Sequence, residues 1–338
     1  MNKIPIIPRN KNYWLVRTQS GKYYNEFKRG NFIGVNWNEI TFEDIESMTE
    51  DDIKLKILNN HPETKRIGTS IKQLRVFANV IKKGDSVVIT GPNSNEFSVG
   101  EIENDIPYTA EVSEEQLLEN PNLCPYSKRR KVKWINEYTK WDVEISMFKL
   151  LQHAQHTITD AEDYKDVIES MIHDFYIRED GLGYISLEVR KEEDIPTRAF
   201  FAMGNELLDL VEEFGRYSSI DINLDQVSTK INVNSRGKIK LKGTYVTILA
   251  IGLIFVGLAG GGINVDIPEA VGGGTYEIQM NSLIHEVSDF LDRRQERIQE
   301  DMLLEKYIHD LDVKTPEELA KLIETFDETS DIPDKENE

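Results

Sequence analysis

The sequence predicts an α+β protein: a small N-terminal β-barrel, then a mainly helical region with some strands and one candidate transmembrane segment. Three observations predict it. Residues 12–142 alternate in short runs rich in β-branched and aromatic residues, broken by one clear helical stretch. After residue 143 the apolar spacing shifts to three and four. Residues 243–265 form a 23-residue run without charge, GTYVTILAIGLIFVGLAGGGINV.

The elements follow in order. YWLVRT at 13–18 and FIGVNW at 32–37 read as strands separated by a glycine-containing turn. Residues 71–81 place Leu74, Phe77 and Ile81 on one helical face, and Lys82-Lys83-Gly84 supplies a basic last turn and a stop. Residues 85–90, 97–102 and 131–135 give three further strands, and five short strands suggest a barrel. Beyond them, 143–156, 163–176 and 199–214 read as amphipathic helices, with Phe148, Leu151, Val167, Met171 and Phe175 among the apolar positions. Tyr184–Val189 alternates as a strand, and 220–242 as strands or a hairpin about Asn234-Ser235-Arg236-Gly237. Residues 279–310 read as a long charged helix, and 326–338 as an acidic, apolar-poor, disordered tail.

Charge divides the chain. Of 40 basic and 60 acidic side chains, residues 1–145 hold 21 of each, so the net −20 resides wholly in 146–338. A neutral half can approach a polyanion that an acidic half would repel. One cysteine, Cys124, excludes an internal disulfide and a Cys-only zinc site. The start, MNKIPIIPRN, lacks the apolar core of a secretory signal, which places the N-terminal domain in the cytoplasm as an expectation. The expected divisions are 1–145 as the barrel, 146–242 as an α+β linking or oligomerisation region, 243–265 as the apolar segment, 266–325 as a helical region, and the tail.

At about 1.5 Å per residue, 23 helical residues span roughly 34 Å, enough for a bilayer core of about 30 Å. Arg236, Lys238, Lys240 and Lys242 precede the run, whereas Asp266 and Glu269 follow it, which orients the N-terminal side inward at the inner membrane. Gly252, Phe255, Gly257 and Gly261 are the expected membrane and oligomer contacts, with Gly257 and Gly261 as a small-xxx-small pair. The six glycines also allow a buried element of a soluble fold.

Over residues 12–142 the ordered set Trp14-Leu-Val-Arg17, Phe32-Ile-Gly-Val-Asn-Trp37, Gln73 with Phe77, the 82–88 run KKGDSVV, Gly100-Glu-Ile102 and Arg130-Lys-Val-Lys-Trp134 resembles the PUA-like barrels of the EVE and Mrr N-terminal type. Such barrels are found fused to restriction and antiphage-defence proteins. The resemblance implies a binding module without catalysis that holds a base in an aromatic pocket. Trp14, Phe32 and Trp37 would then supply faces, and Arg17, Asn36 and Gln73 edge donors and acceptors. The same aromatic residues also suit a barrel core. Lys128, Arg129, Arg130, Lys131 and Lys133 form the densest basic cluster and are candidate phosphate contacts, or a solvated strand entry.

Other chemistry is thinly supported. Asp180, Glu188 and Lys191 have the wrong gap for an acid-x-lysine nuclease site, and His153, His156 and Asp160 have a one-face helical spacing that no further ligand completes. No phosphate loop or nucleophile elbow occurs, and Cys124 lies in a turn-prone Asn-Leu-Cys-Pro run. No cofactor, metal or catalytic residue is expected. The expected function is a defence sensor: a reader of a base, nucleotide or short single-stranded oligonucleotide, controlling a homo-oligomeric, membrane-perturbing or channel-forming segment. The alternatives are a soluble modified-DNA-binding accessory with a partner enzyme, and an oligomeric interaction protein without ligand.

Overall fold

The computed structural model describes residues 4–191, 195–231, 237–259, 275–294 and 299–322. The chain divides into two compact units, one of residues 10–172 and one of residues 1–9 with 173–338. The expected boundary at 145/146 thus falls inside the first. The chain's start belongs to the second, because strand β1 (Ile6–Ile7) pairs in parallel with a strand at 175–178.

Residues 10–172 carry β2 (Tyr13–Val16), α1 (Tyr24–Arg29), β3 (Phe32–Val35), α2 (Phe42–Ser47), α3 (Glu50–Asn60), α4 (Ile67–Arg75), β4 (Ser86–Thr90), β5 (Glu96–Ile102), β6 (Tyr108–Thr109), α5 (Glu114–Glu119), β7 (Lys128–Thr139), α6 (Ile145–His153), β8 (Ile158–Asp160) and α7 (Lys165–Ile172). The strand order is β3-β7-β5-β4-β2-β8, with β6 on β7 and β2 parallel to β4. Strand β7 curls the sheet. Its first residues pair with β3 and the rest with β5, across a bulge at Val99/Gly100.

This is a curled half-barrel rather than the closed small barrel that the strand count predicts. Among the described residues β3 and β8 stay unpaired with each other, so the sheet has two ends. All four β2 residues are buried because both faces are covered. Trp14 and Val16 join Phe27, Phe32, Ile71, Phe77 and Val132 on one side; Tyr13 and Leu15 join Phe97, Met147, Leu150 and Ile168 on the other. The second cover comes from α6 and α7, beyond the expected domain end.

The second unit is also α+β. Its strands are β1, β9 (Phe175–Arg178), β10 (Leu182–Val189), β11 (Ser228–Ile231), β12 (Lys238–Thr244) and β13 (Val313–Lys314), in the order β1-β9-β10-β12-β11 with β13 on β10. Its helices are α8 (Thr197–Ser218), α9 (Tyr245–Ala259), α10 (Thr275–Arg294) and α11 (Gln299–Asp310). Phe175 and Tyr176, expected at a helix end, instead lie in β9. The hairpin turn at 234–237, apart from Gly237, lies outside the described residues, as does the tail.

The membrane expectation is overturned. No helix of the described residues is long and apolar enough to cross a membrane. Helix α9 has 15 residues, about 22 Å at 1.5 Å each, short of a core of roughly 30 Å. Residues 243 and 244 of the uncharged run belong to β12, and 260–265, Gly261 included, lie outside the described residues. Helix α9 is apolar all round because it is enclosed: every residue from Thr247 to Leu258 is buried, packed with Ile185, Leu187, Leu207, Val211, Ile284 and Ile308. Phe255 is fully buried and Gly257 is buried in this core. Gly252 is a close-packing position, since a Cβ there would lie 2.4 Å from Leu319 Cδ1 and 3.1 Å from Ile185 Cδ1. The lysines that resembled a membrane flank alternate along β12.

Candidate functional site

The region of interest is the turn leaving β3. Val35 is buried, Asn36 is exposed, and Trp37 is half-buried with φ +66°. A left-handed backbone is unfavourable for a bulky residue and costs about 1–3 kcal/mol. It persists because surrounding groups hold it. Ile40 N donates to Trp37 O at 3.0 Å. Lys128 Nζ donates to Trp37 O at 2.5 Å and to Ile40 O at 2.9 Å. Asn38 Nδ2 donates to Pro125 O, and Asn38 Oδ1 accepts from Ser127 N and Oγ. The turn is therefore stitched to the start of β7, which pairs with β3 through Val35 and Lys128.

Beside Trp37 stand two groups that sequence spacing does not single out. The His61 ring, at the C-terminal end of α3, meets the indole edge-to-face at 5.2 Å and 79°. His61 Nε2 lies 3.3 Å from Glu39 Oε1, an oxygen enclosed from solvent that accepts no hydrogen bond among the described residues. Glu39 sits two residues after Trp37, where its carboxylate was legible, but His61 reaches the turn only through the packing of α3.

The other expected pocket residues are used by the fold. Trp14 is 7% exposed, and its Nε1 donates to Asp85 Oδ2 at 2.9 Å. Phe32 is 2% exposed, tilted against Phe27 and under the Arg129 guanidinium at 4.0 Å. The Gln73 amide donates to Ile158 O at 2.9 Å and accepts from Ile158 N at 2.8 Å, clamping α4 to β8. Arg17 donates from Nη2 to Ala154 O. Of the six, Asn36 is exposed, and Trp37 is partly buried, packed against the core of this unit with part of its ring left open.

The basic cluster splits by strand alternation. Lys128 and Arg130 point inward and are buried; Lys131 and Lys133 are exposed, and Arg129 is partly so. Arg130 donates to Phe77 O at 2.7 Å, Ala78 O at 2.8 Å, Asp105 O at 2.8 Å and Asn104 O at 3.3 Å. Two of these carbonyls belong to the π-helical turn Val76–Val80 that ends α4. Arg129 donates to Tyr126 O and Cys124 O. Burial lowers the Lys128 pKa to about 8 against the raising charges of Glu39 and Asp44, and that of Arg130 to about 10. Burial likewise pushes the Cys124 thiol up to about 12, the opposite of an activated nucleophile.

The weaker constellations come apart. Helix α6 ends at His153 and Asp160 lies in β8, so His153, His156 and Asp160 share no helical face. Among the described residues no group of three or more His, Cys, Asp or Glu is placed to hold a metal. Asp180 Oδ1 accepts from Leu182 N, Glu188 lies 3.7 Å from Arg190, and Lys191 donates to Asp310 O.

Residues 12–161, within the first unit, match a family model described as a domain of unknown function (DUF8426). No curated protein and no solved structure matches the chain.

Proposed function

We propose that residues 10–172 read a nucleobase, presented as a nucleotide or within a short single strand, with Trp37 as the stacking face. One observation carries the reading: Trp37 is a half-exposed aromatic in a left-handed backbone conformation, held from behind by a buried lysine. Strain that surrounding structure maintains clusters at ligand-binding sites, and aromatic stacking is worth about 1–3 kcal/mol per base. Asn36 adds an exposed amide beside the ring. Lys131 and Lys133, exposed on β7, are the phosphate contacts that the cluster retains. The resemblance to barrels of defence proteins supports placing such a reader in that setting, with the second unit as the responding element.

The test is binding of fluorescently labelled single-stranded oligonucleotides, with plain and modified bases, to the intact chain. Trp37→Ala should weaken binding by about 5- to 150-fold, and Lys131→Ala with Lys133→Ala should flatten the salt dependence. A Trp37→Ala variant that folds and binds like the parent refutes the reading.

A further inference from the structure

On the reading of Trp37 as a stacking face, we propose that Glu39 selects the base and that the base is guanine. Glu39 Oε1 is enclosed, lies beside the Trp37–His61 pair and accepts no hydrogen bond among the described residues. A buried carboxylate oxygen without a donor is costly and uncommon in a folded protein. Two cationic or donor-bearing side chains lie near it, His61 with Nε2 3.3 Å away and Lys128, whose charge acts on Glu39 while its Nζ donates to Trp37 O and Ile40 O; among the described residues neither donates a hydrogen bond to Oε1. His61 keeps 43% of its side chain exposed, against 19% for Glu39, so the imidazole is the movable member.

The donor set follows from the chemistry of a carboxylate, which only accepts. A base stacked on Trp37 must turn N–H groups toward Glu39. Guanine presents two adjacent donors, N1–H and the exocyclic amino group, and satisfies both carboxylate oxygens at once. Adenine and cytosine each set one amino donor beside a ring-nitrogen acceptor that the carboxylate repels; uracil sets one N–H between two carbonyl oxygens. In the free protein the His61 ring stands beside this place, edge-to-face with the indole and with Nε2 3.3 Å from Glu39 Oε1. The base would make the better-aligned bonds.

The experiment titrates the intact chain with the 5′-monophosphates of guanosine, adenosine, cytidine and uridine, and with the N1-methylated guanosine form, by calorimetry. The expected result is a 10- to 100-fold preference for guanosine monophosphate, largely lost on N1-methylation and in Glu39→Gln, while the variant's melting curve stays close to the parent's. If Trp37→Ala abolishes binding but Glu39→Gln leaves the base ranking unchanged, Glu39 serves only to steady His61 and the assignment falls, with the stacking site intact. If no monophosphate binds, the guanine assignment falls; if Trp37→Ala also binds labelled oligonucleotides as the parent does, the stacking reading falls with it.

Discussion

Replacing Arg130 with Met separates a structural role from a phosphate contact. The guanidinium is fully buried and donates to four carbonyls, three of them at 2.8 Å or less. Hydrogen bonds from a charged donor are worth about 1.5–3 kcal/mol each, but relieving the buried charge returns several kcal/mol. Carbonyls left dry cost about 1–3 kcal/mol each. Those of Asn104 and Asp105 belong to an exposed loop and can regain water; those of Phe77 and Ala78 end a packed helix. The balance is a loss of about 3–5 kcal/mol, comparable to breaking a buried charged network, and hence a melting temperature lower by roughly 6–20 °C. All four tryptophans, Trp14, Trp37, Trp134 and Trp141, lie within residues 10–172, so their fluorescence in urea or on heating reports this unit. Arg130→Lys should recover only part of the loss, since one ammonium cannot fork to carbonyls on two sides. An Arg130→Met variant that melts within about 2 °C of the parent but loses oligonucleotide binding would refute the structural assignment.

Two further changes probe the same strand. The folded Lys128 has its pKa lowered to about 8 from 10.5, so the penalty for burying its charge is fully present below pH 8 and is relieved as pH rises toward 10.5. The stability of the parent relative to Lys128→Met, from urea midpoints at pH 7, 8 and 9.5, should therefore rise with pH; a flat or falling difference contradicts the burial assignment. Gly100 faces the β7 bulge, where a Cβ would sit 2.5 Å from Lys133 O and 2.9 Å from Val132 Cγ1 and Trp134 Cε3. Gly100→Ala should cost about 1–3 kcal/mol by overpacking, and a denaturation midpoint equal to the parent's would show that the bulge relaxes freely.

Strand existence in residues 10–172 was legible because alternation and β-branched composition record a pleat: the expected runs at 13–18, 85–90 and 97–102 overlap β2, β4 and β5. Sheet closure was not, because the same alternation serves a barrel or a curled sheet, and the second cover comes from helices α6 and α7 further along the chain. The small helices α2 and α3 and the two-residue β1 carry too few periodic positions to stand out, although the capping box at Thr41 and Asp44 is a local signal that marks α2.

The sequence by itself determined the neutral and acidic halves and the uncharged run around α9, and it singled out Asn36 and Trp37, though as the end of a strand that the structure closes at Val35. Composition and periodicity are local properties and survive unfolding. Only the tertiary structure decided what each feature meets. Lys128, Arg130, Lys131 and Lys133 are one basic cluster in sequence, yet a pleated strand sends neighbours to opposite faces, and the packing of α4 and the β3 turn makes two of them internal donors. Uncharged residues around α9 suit lipid or a protein core equally well, and the surrounding sheet and helices, together with a 15-residue helix, select the core. His61 meets Trp37 and Glu39 because α3 folds back on the turn, a contact between distant positions that no local pattern encodes.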